Sequence, residues 1–230
     1  MNAASVFQRL DHGLIASCQP VDGGPLDRTE IVVAMAQAAV AGGARGLRIE
    51  GAERVAAVAA ACAAPIVGII KRDLADSPVR ITPFLDDVAQ LAQAGATIIA
   101  FDATHRQRPV DPAELLAAIH AAGRLAMADC ATFDEARAMA ESGCDFVATT
   151  MSGYTGPDTP ADPDLAFVER CAAAGYRTVA EGRYNSPERA AMALRAGAHA
   201  VTVGSAITRI EHIAGWFATA LDEAAREAGR

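Results

Sequence analysis

A unit of Ala-rich helical sequence, a glycine and a short run of β-formers recurs along this 230-residue chain. The joints read Ala41-Gly42-Gly43-Ala44, Ala94-Gly95-Ala96, Ala122-Gly123-Arg124, Ser142-Gly143-Cys144, Ala174-Gly175-Tyr176 and Ala196-Gly197-Ala198. Glycine just past a helix is the expected C-cap. The runs that follow are apolar without clean alternation, as in parallel strands covered on both faces. They fall at about 13–18, 45–49, 66–70, 97–101, 124–129, 145–149, 177–181 and 199–203, each with the few-residue margin of such readings. Helices are expected to follow at about 27–42, 51–63, 83–94, 111–122, 132–142, 163–174, 186–196 and 209–226, with the same margin. Eight βα units in this length predict an α/β fold, a (β/α)8 TIM barrel with a short N-terminal helical segment, and one domain over 1–230. An open doubly wound sheet is the rival, but it normally has fewer strands.

Composition narrows the function classes. The net charge of −8 argues against general nucleic-acid binding, which needs a basic surface. It leaves room for a small anion held by local arginines. No apolar run approaches the roughly 20 residues that span a bilayer, and Met1 to Asp11 lacks the marks of a secretory signal. A cytoplasmic protein with no membrane partner is expected. Five cysteines, Cys18, Cys62, Cys130, Cys144 and Cys171, form no CxxC pair and read as reduced thiols. The five histidines lack metal-ligand spacing, so no metal site is expected, and His120 and His199 read as structural. Neither a Walker loop nor GxGxxG is present, so nucleotide dependence has no support.

The connections from strand to helix are long, at Gln19 to Leu26, Lys71 to Thr82, Asp102 to Val110 and Thr150 to Ala161. In a barrel these gather at the C-terminal mouth, where active sites lie. Lys71, the single lysine of the chain, ends the third run beside Arg72. Burial and a like charge there both lower an amine's pKa, which suits a general base or a Schiff base; a strand-end lysine snorkelling to solvent is the plain alternative. Glu181 ends the seventh run, where it can pair with a lysine, orient a hydroxyl, move a proton or bridge to a mouth arginine. If Leu47 and Ile49 face the helices, Arg48 faces the lumen, an expensive place for an unpaired charge; a substrate group or an internal carboxylate would pair it. Asp102 falls on the lumen face by the same alternation, Asp129 has a less certain parity, and Gln19 either binds substrate or caps its loop. Tyr154 is part of a lid or of a plain surface loop. Gly182 and Gly204 end the last two strands, where barrels often hold a phosphate, with Arg183 and Arg209 near enough to assist.

Read in order, Ser17-Cys18-Gln19, Gly46-Leu47-Arg48-Ile49-Glu50, Gly68-Ile69-Ile70-Lys71-Arg72-Asp73, Asp76-Ser77-Pro78, Ile81-Thr82-Pro83 and Phe101-Asp102-Ala103-Thr104 form a spaced set. It continues through Ala128-Asp129, Thr149-Thr150-Met151-Ser152-Gly153-Tyr154-Thr155, Ala180-Glu181-Gly182-Arg183 and Val203-Gly204-Ser205-Ala206-Ile207-Thr208-Arg209. Nearly the whole chain thereby resembles the bacterial N-acetylmannosamine-6-phosphate 2-epimerase family. It departs at the first loop, Pro20 to Leu26, and at Arg80, Phe84 and Ile210. The resemblance implies an isomerase of amino-sugar and sialic-acid catabolism, acting on a phosphorylated N-acetyl hexosamine without a cofactor. It makes Lys71 the acid/base and Glu181 its partner, and has Gln19, Arg48 and Asp129 hold the sugar. Gly182, Arg183, Gly204, Ser205 and Arg209 would surround the phosphate. A Schiff-base aldolase on a phosphorylated sugar acid and a non-catalytic phosphosugar-binding barrel are the competing functions. A two-fold dimer is the commonest assembly for such an enzyme.

Overall fold

The computed structural model describes residues 1–229. Strands β1 (Gly13–Ser17), β2 (Gly46–Glu50), β3 (Ile66–Ile69), β4 (Ile98–Asp102), β5 (Leu125–Asp129), β6 (Phe146–Ala148), β7 (Thr178–Glu181) and β8 (Ala200–Val203) close in that order into a parallel barrel. The last strand pairs with the first, Gly13 lying opposite Ala200. Helices α2 (Thr29–Ala41), α3 (Ala52–Ala61), α4 (Leu85–Gln93), α5 (Pro112–Ala121), α6 (Phe133–Glu141), α7 (Leu165–Ala173) and α8 (Pro187–Arg195) follow the first seven strands. After β8 come a short turn of helix, α9 (Ser205–Thr208), and the long α10 (Ile210–Glu227).

Alternation along each strand divides the core in two. Ile15, Val67, Ile69, Ile98, Ala100, Met127, Phe146, Val179 and Ala200 fill the lumen. Ala16, Leu47, Ile49, Ile66, Ile99, Phe101, Ala126, Ala128 and Val147 meet the helices. The N-terminal helix α1 (Ala3–Leu10) inserts Val6 and Leu10 into the lower end of the lumen cluster. Its Phe7 ring meets Phe146 edge-on at 5.4 Å, and the Phe7 carbonyl contacts His199 Nε2 at 3.1 Å. The barrel is thereby stoppered at its base and open at its mouth.

The local signals explain most boundaries. Thr132 and Glu135 form a reciprocal capping box at α6. Asp111 and Ser186 cap helices whose first residue is a proline. One glycine at each joint takes the left-handed conformation, Gly43 and not Gly42 at the first, φ being +93° at Gly95 and Gly197. The later helices keep to the expected bounds within a few residues: α7 has Asp164 as its cap, its side chain accepting from Phe167 N, and α10 starts at Ile210, just past Arg209. The apolar stripe of α10 faces away from the barrel: Ile210, Phe217 and Leu221 are 60%, 69% and 70% exposed.

Candidate active site

Strand β2 delivers Arg48 into the lumen because its neighbours Leu47 and Ile49 are claimed by the helix-facing core. The guanidinium is 1% exposed, and an ion there persists only when paired. Its Nη2 donates to Asp129 Oδ2 at 2.6 Å and its Nη1 to Asp129 Oδ1 at 3.2 Å, a bidentate clasp across the barrel from the end of β5. Asp129 is therefore on the lumen side, the parity shared with Met127. Glu181, at the end of β7, brings Oε2 to 3.3 Å from Arg48 Nη1. Burial works against the charge on Arg48, but Asp129 and Glu181 overcome it and hold the guanidinium protonated. Burial also raises the proton affinity of Glu181, which Arg48 opposes and Asp129 reinforces.

Lys71 lies just beyond β3, fixed by an antiparallel bridge to Ile81. Its amine is held below the ordinary lysine value by burial, then by Arg48 and Arg209; Glu50 and Asp22 pull the other way. The like charge is thus not its sequence neighbour. Arg72 turns outward to the buried Asp87, since adjacent residues at a strand end point to opposite sides.

These groups line a cavity of about 500 Å³ with Gln19, Gly182, Arg183, Gly204, Ser205 and Arg209, so the structure brings every expected site residue but Asp129 to its wall and places Asp129 behind Arg48. Gln19 donates its side-chain Nε2 to Ser17 Oγ at 2.8 Å, and its backbone carbonyl accepts from Arg209 Nε at 2.9 Å. The Nη atoms of Arg209 have no protein acceptor among the described residues, and Gly204 and Ser205 begin α9 beside it. Arg183 behaves differently. Its Nε donates to the Asp162 carbonyl and its Nη1 to the Ser152 carbonyl, at 2.7 and 2.6 Å, and it lies 5.1 Å from the Tyr154 ring. Its side chain pins the β6–α7 loop, leaving Arg209 as the arginine free to meet an anion. Asp102 is also spoken for, accepting from Arg106 Nη2 at 2.6 Å and Thr104 Oγ1 at 2.7 Å.

Two residues escape sequence reasoning. Thr150 Oγ1 donates to Asp129 Oδ1 at 2.7 Å, and Thr202, which is paired with Glu181 in the β7–β8 register, lines the cavity. A threonine in or near a strand is an ordinary β-former, so only the register reveals its position. Thr202 Oγ1, Glu181 Oε2 and Arg48 Nε are buried without a hydrogen-bond partner. Three such atoms at one spot mark where a polar ligand would complete the network. No cluster of three or more metal-ligating side chains occurs among the described residues.

A base of lowered pKa, a guanidinium for developing negative charge and an anion-binding end suit proton abstraction next to a carbonyl in a phosphorylated substrate. Comparison with known proteins agrees. A family model described as "Putative N-acetylmannosamine-6-phosphate epimerase" matches residues 32–223. A Salmonella paratyphi A protein, "Putative N-acetylmannosamine-6-phosphate 2-epimerase 2", is 61% identical over 227 residues, spanning 96% of this chain and 99% of that one. A Brucella melitensis "Bifunctional enzyme NanE/NanK" is 59% identical across 96% of this chain, which spans 43% of that larger protein. The structure of the Clostridium perfringens N-acetylmannosamine-6-phosphate 2-epimerase superposes with a TM-score of 0.89 at 37% identity, covering 93% of this chain and 95% of that one. With the barrel, the lysine site and these relatives in agreement, the chain belongs to the N-acetylmannosamine-6-phosphate 2-epimerase family.

Proposed function

We propose that this chain, read as one catalytic domain over 1–230, interconverts N-acetylmannosamine 6-phosphate and N-acetylglucosamine 6-phosphate by moving the proton at C2. The observation that carries the reading is Lys71: one amine whose pKa is lowered by burial and by Arg48 and Arg209, in a cavity that Arg209, Gly204 and Ser205 also line. Anchoring the phosphate there puts C2 of the ring-opened aldehyde within reach of Lys71. The neutral amine takes the C2 proton, the electron pair delocalises onto O1, and Arg48 stabilises the enolate oxygen. The Glu181 carboxyl, on the other side of the substrate, gives a proton to the opposite face of C2, and proton exchange with water then resets Lys71 and Glu181. Gln19, Asp129 and Thr150 keep the polar wall in register.

Turnover in heavy water tests it. Deuterium is expected at C2 of the product and, over repeated turnovers, of the substrate, read by proton NMR. Full retention of protium after many turnovers overturns the enolate route.

The exposed stripe of α10 supports a homodimer, since Ile210, Phe217 and Leu221 form an apolar face that a monomer leaves wet. Phe217→Asp combined with Leu221→Asp is expected to halve the sedimenting mass. A wild-type monomer at micromolar concentration would remove the dimer. The free cysteines favour a reducing, cytoplasmic setting, and no helix of the described residues is long and apolar enough to cross a membrane.

A further inference from the structure

We propose that Thr149 is the positioning residue for Glu181, its hydroxyl holding the main chain of the acid that serves the face of C2 opposite Lys71. The proposal rests on the epimerase reading above and deepens it, naming what keeps the second proton carrier in place.

Glu181 needs such a support. It is the last residue of β7, and the chain turns off at once through two left-handed residues, Gly182 at φ +111° and Arg183 at φ +64°. The side chain adds little anchorage of its own. Its Oε2 is buried with no hydrogen-bond partner, and its contact with Arg48 is an ion pair at 3.3 Å. Thr150 does not hold it, because a hydroxyl has one proton and that of Thr150 goes to Asp129.

Thr149 supplies the support from the neighbouring strand. Strand β6 ends at Ala148, and Thr149 follows it, 2% exposed. The Thr149 N–H still donates to the Val179 carbonyl at 3.1 Å. In a parallel ladder the Thr149 carbonyl would next accept from the Glu181 N–H. That carbonyl instead accepts from Ser152 N at 3.1 Å, starting the turn into the β6–α7 loop. The side chain takes its place in the ladder: Thr149 Oγ1 accepts from Glu181 N at 3.1 Å and donates to the Glu181 carbonyl at 2.9 Å. One hydroxyl thus clasps both backbone groups of Glu181 and fixes the direction in which its carboxyl leaves the strand.

The two-base reaction separates the step of the carboxyl from that of the lysine. For the epimer whose C2 proton faces Lys71, removal and return by Lys71 exchange that proton with heavy water without inversion, whereas inversion requires Glu181. The test reads C2 exchange against epimerisation by proton NMR, starting from N-acetylmannosamine 6-phosphate and from N-acetylglucosamine 6-phosphate, with the full-length wild type and its Thr149→Val and Thr149→Ser variants. Thr149→Val keeps the shape and removes both hydrogen bonds. With the epimer that Lys71 deprotonates, its ratio of exchange to epimerisation is expected to rise at least about tenfold, since a displacement of about 1 Å can cost about a hundredfold in rate. Thr149→Ser keeps the hydroxyl and is expected to hold the ratio within about twofold of wild type. Thr149→Cys, with a weak donor and a weak acceptor, gives the same reading should Thr149→Val fail to fold. Exchange and epimerisation that fall together, leaving the ratio unchanged, give Thr149 a merely structural role and overturn the proposal while the epimerase stands. A serine variant as impaired as the valine one overturns it as well. A wild type that exchanges no C2 proton sinks the epimerase reading itself, a result that no Thr149 variant is needed to obtain.

Discussion

Lys71→Ala is expected to lower kcat/KM for C2 epimerisation by about a thousandfold or more, the upper part of the range for a positioned base. Product affinity is expected to hold within a few-fold, because the proposed phosphate site, lined by Arg209, Gly204 and Ser205, is untouched. Calorimetry with N-acetylglucosamine 6-phosphate and NMR exchange at C2 separate the two effects. Retained exchange within tenfold of wild type would show that another group is the base. The pH dependence has a definite sign. Only the neutral amine accepts a proton, so kcat/KM rises with pH through the Lys71 pKa. Burial and the two arginines depress that pKa, so the plateau begins below the ordinary lysine value of 10.5.

Arg48→Met is the second large effect, and it acts on stability as well as rate. The substitution leaves Asp129, which is 0% exposed, and Glu181 facing each other without their cation. Breaking a buried pair in this way costs about 3–5 kcal/mol, a large share of the 5–15 kcal/mol that typically holds a domain together. Urea unfolding near pH 7 is expected to show that loss. Without Arg48, burial and the neighbouring Asp129 raise the folded-state pKa of Glu181 above its unfolded value, the opposing guanidinium being gone. The variant is then most stable below the unfolded value and weakens as pH rises through the folded one. Adding Asp129→Asn removes one stranded charge and is expected to restore part of the loss. Loss of Arg48 also takes a positive neighbour from Lys71, moving the limb of any residual activity to higher pH. A variant as stable as wild type at neutral pH would mean that the carboxylates find other partners.

Much of this architecture is legible in the residues themselves. The glycine joints mark strand starts because a helix must turn through a left-handed residue before the chain can re-enter the sheet. Arg48 is legible because a charge between Leu47 and Ile49 has one face left to it. Asp129 is harder. In β5 the large Met127 points into the lumen and the small Ala126 and Ala128 meet the helices, the reverse of the bulky-outward pattern of β2. The environment of Lys71 is misread in one respect, since sequence offers Arg72 as its neighbour while the barrel supplies Arg48 from β2 and Arg209 from beyond β8. Thr150 and Thr202 leave no trace, because hydroxyl partners follow from register and not from residue type. The outward stripe of α10 has the same helical period as an inward one, and periodicity alone cannot tell the two apart.

Arg48 comes from β2, Lys71 from beyond β3, Asp129 from β5, Glu181 from β7 and Arg209 from beyond β8. No repeat of the chain therefore carries a working fraction of the chemistry. The reaction exists only once the ring is shut, so a severed half-barrel would inherit strands and helices but no catalyst.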